Sequence, residues 1–136
     1  MIKRVYGSSH LGVGRGVRKA EMGAQYFVRC MNPQGFHDMA YYAWGEPDNT
    51  RVLVCVHGLT RNGRDFDTLA RALSHDFRVI CPDVVGRGAS DWLPDPAFYN
   101  VGQYAADMVN LLAHLHVPCV DWLGTSMGGL IGMMLA

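Results

Sequence analysis

The rhythm of hydrophobic and polar positions changes several times along the chain, and each change marks an element. Residues 25–31 and 36–44 are rich in aromatic and β-branched side chains that partly alternate, with Asn32-Pro33-Gln34-Gly35 between them. Such alternation around a proline and a glycine predicts a β-hairpin. After a second turn cluster at residues 45–50, Val52-Leu53-Val54-Cys55-Val56 runs apolar without alternation. A run of that kind predicts a strand covered on both faces. Phe66, Leu69, Ala70 and Leu73 then recur at i, i+3, i+4 and i+7, which predicts a helix with one buried stripe and a polar face of arginines and aspartates. Val79-Ile80-Cys81 reads as another buried strand and ends at Pro82-Asp83.

Residues 84–99 hold Gly86, Gly88, Pro94 and Pro96 and predict a long loop; loops of that length usually carry function or are mobile. Asn100 with Gln103 forms a helix cap, and Val101, Tyr104, Ala105, Met108, Leu111, Leu112 and Leu115 mark one face of an amphipathic helix. Pro118 closes it. Residues 119–123 read as a strand, and residues 129–136 are apolar throughout, as a buried helix would be. Strand and helix alternate from Val52 onward, which predicts the α/β class: an antiparallel hairpin followed by parallel strands with flanking helices.

Composition narrows the picture only a little. The 136 residues suffice for one domain, and 49% hydrophobic against 18% charged residues excludes wholesale disorder. Twelve basic and 12 acidic residues balance to zero, so the charge offers no reason to bind nucleic acid or an anionic membrane. Four cysteines include no C-x-x-C pair, and three sit inside apolar strand-like runs. Buried free thiols in a reducing, cytoplasmic setting are expected, with no metal-ligand spacing and no cofactor. Residues 1–23 are glycine-rich and basic, with Lys3, Arg4, Arg15, Arg18 and Lys19 preceding the first acid, Glu21. They lack the continuous apolar core of a secretory signal and read as a flexible extension, a transit peptide being the other reading. Gly12-x-Gly14-x-Gly16 follows no strand and is not taken as a phosphate loop. The folded domain is expected over residues 24–136.

Candidate chemistry centres on Gly124-Thr125-Ser126-Met127-Gly128, between the predicted strand and helix. A strand turning directly into a helix forces the middle residue into a strained conformation and brings the flanking positions too close for side chains. The strain exposes the Ser126 hydroxyl while the first helical amides point beside it, where a negative oxygen would be stabilised. That geometry suits acyl transfer.

Three stretches now fall in a telling order: His57-Gly58-Leu59 after one strand, Asp83-x-x-Gly86-x-Gly88-x-Ser90 after the next, and the G-x-S-x-G elbow after the third. From about residue 25 to the end the chain resembles the α/β-hydrolase superfamily. The resemblance implies Ser126 as nucleophile, the backbone N–H groups of Leu59 and Met127 as oxyanion hole, and Gly124 and Gly128 as the elbow glycines. It also implies a triad in the order Ser, acid, His, yet the ten residues after Ser126 contain neither acid nor histidine. The chain is therefore expected to be the N-terminal portion of the domain, inactive alone. His57 is expected to support the oxyanion loop, Asp83 to brace its own glycine-rich loop, and Asp121 to bond locally.

The implied function is a serine hydrolase acting on a carboxylic ester, lactone or related acyl compound. Two alternatives stay open: a hydrolase-like protein that binds a ligand without turnover, and a carbon-carbon bond hydrolase or acyltransferase of the same fold. Leu59, Met127, Trp92 and Phe98 are the side chains available to line a pocket, which implies an apolar small-molecule substrate. Oligomeric state is not legible.

Overall fold

The computed structural model describes residues 23–136. The basic extension and the Gly12-x-Gly14-x-Gly16 stretch fall on residues 1–22, outside those described; Gly23, the last residue of the expected extension, lies against the Trp44 indole.

The hairpin forms as expected. Strand β1 (Ala24–Asn32) runs antiparallel to β2 (Gly35–Trp44), with Asn32 paired to Gly35 at the turn. The Asn32 side chain accepts from the Gln34 N–H at 2.7 Å, the short-range bond by which asparagine shapes a turn. Strand β3 (Val52–Val56) is buried along its whole length, and β4 (Arg78–Pro82) runs parallel to it. The sheet order is β1-β2-β4-β3-β5, where β5 (Asp121–Gly124) pairs, among the described residues, with β3 alone.

Alternation along β3 divides the core in two. Val52, Val54 and Val56 face a larger cluster with Ile80, Met108 and Leu111, while Leu53 and Cys55 face a smaller one with Phe66, Ala70, Val79 and Cys81. The larger cluster is covered by two helices, the long one here named α2 (Val101–His114) and the last, α3 (Met127–Leu135); the smaller is covered by α1 (Asp67–Leu73).

Several expectations need correction. Leu69 is exposed although the periodicity assigns it to the buried stripe. Phe66 belongs to a tighter 3-10 turn over Gly63–Phe66, so the angular register slips before α1 begins and Leu69 lands at the rim. Of the four thiols, Cys30, Cys55 and Cys81 are buried and free, but Cys119 is exposed. It precedes β5, in the turn that follows the end of α2: His116 adopts φ 53° and its N–H donates to the Ala113 carbonyl, while the Val117 N–H bonds the Leu112 carbonyl. Those paired bonds are the usual helix stop, here with histidine in the left-handed position. His114, two residues earlier, stands edge-on to the Tyr41 ring.

The loop over residues 84–99 is pinned by several bonds. Ser90 Oγ accepts from the Ala40 N–H at 2.8 Å and donates to the Asp83 carbonyl at 2.6 Å, and Asp91 accepts from the Asp38 N–H through Oδ2 at 2.7 Å. The loop thus completes the bonding of β2 where β4 has ended. Helix α3 is only half covered: Met127 and Ile131 are buried, but Leu130, Met133 and Met134 are 52%, 69% and 58% exposed.

Candidate active site

The elbow sits where β5 turns into α3. Ser126 takes φ 52° and ψ −115°, a conformation that L side chains rarely adopt, and its residue is exposed. Main-chain bonds hold it there. The Thr125 N–H donates to the Val56 carbonyl at 3.0 Å, which ties the elbow to the end of β3. Gly128 bonds the Thr125 carbonyl at 2.9 Å, and Gly129 and Leu130 both bond that of Ser126, so the helix begins at once. Trp122 reaches across the turn, its Nε1 donating to the Gly128 carbonyl at 2.9 Å.

Both elbow glycines are sterically required. A Cβ on Gly124 would strike the Gly128 carbonyl and the Gly129 nitrogen, and one on Gly128 would meet Val56 C at 2.6 Å and His57 O at 3.0 Å. The approach between α3 and β3 leaves no room for a methyl.

Gly58 closes the other side. The position its Cβ would occupy lies 3.6 Å from Ser126 Cβ, so the His57-Gly58-Leu59 turn borders the serine. Met127 is the first residue of α3, where a helix leaves its N–H groups free of intrahelical partners. Its side chain points into the core, and the expectation that it lines a pocket is not met. Phe98 likewise packs on the core, and Trp92 borders a cavity at the hairpin end with Asn32, Phe36 and His37. Of the four expected lining side chains, exposed Leu59 is the one adjoining Gly58.

His57 is fully buried, with both ring nitrogens committed. Nδ1–H donates to the Gly58 carbonyl at 2.7 Å, and Nε2 accepts from the Val84 N–H at 2.9 Å. An Nε2 that accepts carries no proton, so the ring is neutral. Burial lowers its pKa, opposed in part by the Gly58 carbonyl and by Asp83. This histidine braces the turn and has no nitrogen left for Ser126. Asp83 braces its loop as expected: Oδ1 accepts from the Gly63 N–H at 2.7 Å and Oδ2 from the Ala89 N–H at 2.8 Å. Asp121 lies exposed on the edge strand, and the local bond expected of its side chain is not found among the described residues.

Two features escaped the sequence reading. Arg87 clamps the site, its Nε donating to the Leu59 carbonyl at 3.0 Å and Nη1 to the Val85 carbonyl and the Tyr104 hydroxyl. Gln103 bonds the Met31 carbonyl and Asp107 through its side chain, so only the Asn100 half of the expected cap forms, at 2.9 Å to the Gln103 N–H. Asp107 in turn bonds His37 beneath the hairpin. The signal available was the pair of polar residues, Gln103 and Asp107, spaced i, i+4 within the apolar face of α2.

Residues 51–136 match the family model described as alpha/beta hydrolase fold, and the chain belongs to that family. Among curated relatives it is 66% identical over 110 residues to a 3-hydroxybutyrate-oligomer hydrolase of Cupriavidus necator, covering 81% of this chain and 38% of that protein. It is 33% identical over 96 residues to a 3-oxoadipate enol-lactonase 2 of Acinetobacter baylyi, covering 71% of this chain and 35% of the lactonase. Among solved structures, an alpha/beta hydrolase from Novosphingobium aromaticivorans superposes with a TM-score of 0.78 at 36% identity, over 85% of this chain and 39% of that one. The chain thus spans little more than a third of the length of these relatives. Among the described residues no helix is long and apolar enough to cross a membrane.

Proposed function

We propose that this chain carries the nucleophile and oxyanion hole of a serine hydrolase that cleaves carboxylic esters through an acyl-enzyme, with short oligomers of 3-hydroxybutyrate as the substrate class. The observation that carries the reading is the backbone of Ser126, held at φ 52° and ψ −115° directly beside Gly58. Strain of that kind persists only where its surroundings enforce it, and it clusters where the strained group has chemistry to do. The substrate class is supported by the 66% identity to a hydrolase of 3-hydroxybutyrate oligomers.

In this reading Ser126 Oγ adds to the ester carbonyl as its proton passes to a base, and the carbonyl oxygen takes up negative charge. The Leu59 and Met127 N–H groups hold that oxygen; each such donor contributes about 3 kcal/mol to the transition state. Collapse breaks the ester C–O bond, and the leaving alcohol receives the proton. Water then repeats the sequence on the acyl-Ser126 ester and releases the acid. The base is neither His57, whose nitrogens are spent on backbone, nor His37, which is buried against Asp107.

A fluorophosphonate probe and a 3-hydroxybutyrate trimer, each given to a full-length hydrolase that carries this chain, test the two levels separately. Expected are one label per chain and release of shorter acids, with Ser126→Ala abolishing labelling and lowering turnover by at least about 10³-fold. Labelling that survives Ser126→Ala would overturn the nucleophile. Labelling without trimer turnover would retain it and overturn the substrate class, leaving the lactone, carbon-carbon and non-turnover alternatives to be separated by product analysis.

A further inference from the structure

A second polar assembly lies beneath the hairpin, independent of Ser126. Cys30 and His37 are direct cross-strand partners, and α2 lays Asp107 over the pair. All three residues are buried, and each contributes a donor atom to a group lying within 4.8 Å of one another. His37 Nε2 stands 2.9 Å from Asp107 Oδ2, and Cys30 Sγ reaches the Asp107 main-chain oxygen at 3.9 Å. Asp107 Oδ1 accepts from Gln103 Nε2 at 2.8 Å, and that amide also donates to the Met31 carbonyl at 3.0 Å. The other imidazole nitrogen, His37 Nδ1, is buried without a partner among the described residues.

Packing alone does not call for these residues. Val28, Met39, Met108 and Leu111 belong to the same cluster as Cys30, and an apolar trio would fill the space without burying polar groups. A thiol, an imidazole and a carboxylate buried together in an otherwise apolar cluster are costly unless each is matched. What does suit thiol, imidazole and carboxylate together is a divalent ion of borderline softness. Cys thiolate, His nitrogen and Asp oxygen bind zinc at about 2.3, 2.0 and 2.1 Å, so neighbouring ligand atoms lie a little over 3 Å apart, close to the His37 to Asp107 spacing. One thiolate and one carboxylate neutralise the ion's two positive charges, which relieves the penalty of burying them singly. Gln103 holds the carboxylate from behind, as outer-shell donors do at metal sites. His37 also borders the cavity formed with Asn32, Phe36, Trp92 and Leu93, which supplies an entry path.

We infer that Cys30, His37 and Asp107 form a zinc-type binding site that pins the hairpin to α2. Binding exchanges the Cys30 S–H bond for a sulfur-to-metal bond and releases the thiol proton to solvent; no oxidation is involved. The role is structural and stands whether or not Ser126 is a nucleophile.

The full chain, purified without a histidine tag, loaded with zinc and freed of excess, provides the test. Expected are one zinc per chain, an X-ray absorption first shell with one sulfur and the rest nitrogen or oxygen, and a raised Tm. Cys30→Ser should weaken binding at least tenfold while Cys119→Ser leaves it unchanged. Absence of stoichiometric zinc, a shell with no sulfur or two, or binding that follows Cys119 would overturn the site. Should Cys30→Ser not fold, Asp107→Asn takes its place, and the absorption shell of the unaltered chain decides in either case.

Discussion

The two polar assemblies of this molecule are built from different material. Around Ser126 the parts are main chain: the Val56, Gly58 and Thr125 carbonyls, the first amides of α3, and two glycines whose contribution is the absence of a side chain. Beneath the hairpin the parts are side chains, with Cys30, His37, Gln103 and Asp107 brought together from across the sequence. The first is exposed and strained; the second is buried in ordinary strand and helix. A site made of main chain tolerates changes in the identity of its residues but not the addition of a methyl group. A site made of side chains reverses both sensitivities.

The sharpest way to break the main-chain assembly is therefore Gly128→Ala. The new methyl would meet the Val56 carbonyl group and come within 3.0 Å of His57 O, backbone at the end of the central strand that no rotamer change relieves. Overpacking against rigid backbone lies at the severe end of single substitutions, about 3 kcal/mol or more. Urea unfolding of a full-length hydrolase that carries this chain should register it, with loss of ester turnover in whatever fraction stays folded. A variant within about 1 kcal/mol of the parent would mean that α3 and β3 do not approach as closely as described.

The same contrast explains what could be read from the sequence. The elbow, the hairpin and the two central strands depend on neighbours a few positions apart, and residue type alone announces them: glycines around Ser126, an unbroken apolar run at β3, Pro33 and Gly35 at the turn from β1 into β2. Asp83 was legible for the same reason, since it braces a loop beginning at its own position. His37 and Asp107 are 70 positions apart, and only the packing of α2 on the hairpin makes them partners. Arg87 gave no signal because its target is a carbonyl 28 positions earlier, and carbonyls look alike in every sequence. Met127 illustrates a third case. Its main-chain position beside Ser126 follows from the motif, but the turn of α3 directs its side chain into the core, which periodicity over so short a helix does not reveal.

Arg87 sharpens the comparison, being a side chain on which the main-chain site leans. Arg87→Met keeps the length of the aliphatic stem but removes the bonds to the Leu59 and Val85 carbonyls and to the Tyr104 hydroxyl. If Leu59 contributes an oxyanion donor, releasing its carbonyl loosens the residue that carries that N–H and costs transition-state stabilisation rather than ground-state binding, so kcat should fall about tenfold, equivalent to about 1.4 kcal/mol, with KM little changed. Lysine reaches one carbonyl and not the fork, so Arg87→Lys should recover only part of the rate. A variant that loses Tm and keeps kcat would assign Arg87 to stability alone.

The mildest perturbation is pH, acting on the one imidazole built into the main-chain site. His57 is neutral in the fold because Nε2 accepts from the Val84 N–H, and its pKa is depressed chiefly by burial. Asp83, Asp65 and Arg87 are the charged groups that act on it, the two acids opposing the shift and the arginine adding to it. Above the ordinary histidine value of about 6.5 the ring is neutral in both folded and unfolded chains, so it contributes no pH dependence. Below that value the unfolded chain takes up a proton that the folded chain resists, and the sign follows: stability falls as pH falls, until the depressed folded pKa is reached. A single proton limits the slope to about 1.4 kcal/mol per pH unit. His57→Gln retains a donor for the Gly58 carbonyl and an acceptor for the Val84 N–H but cannot titrate. The difference between the two chains in urea midpoint, followed from pH 7 downward, should shrink as the parent weakens; a constant difference would mean that His57 titrates alike in the folded and unfolded states.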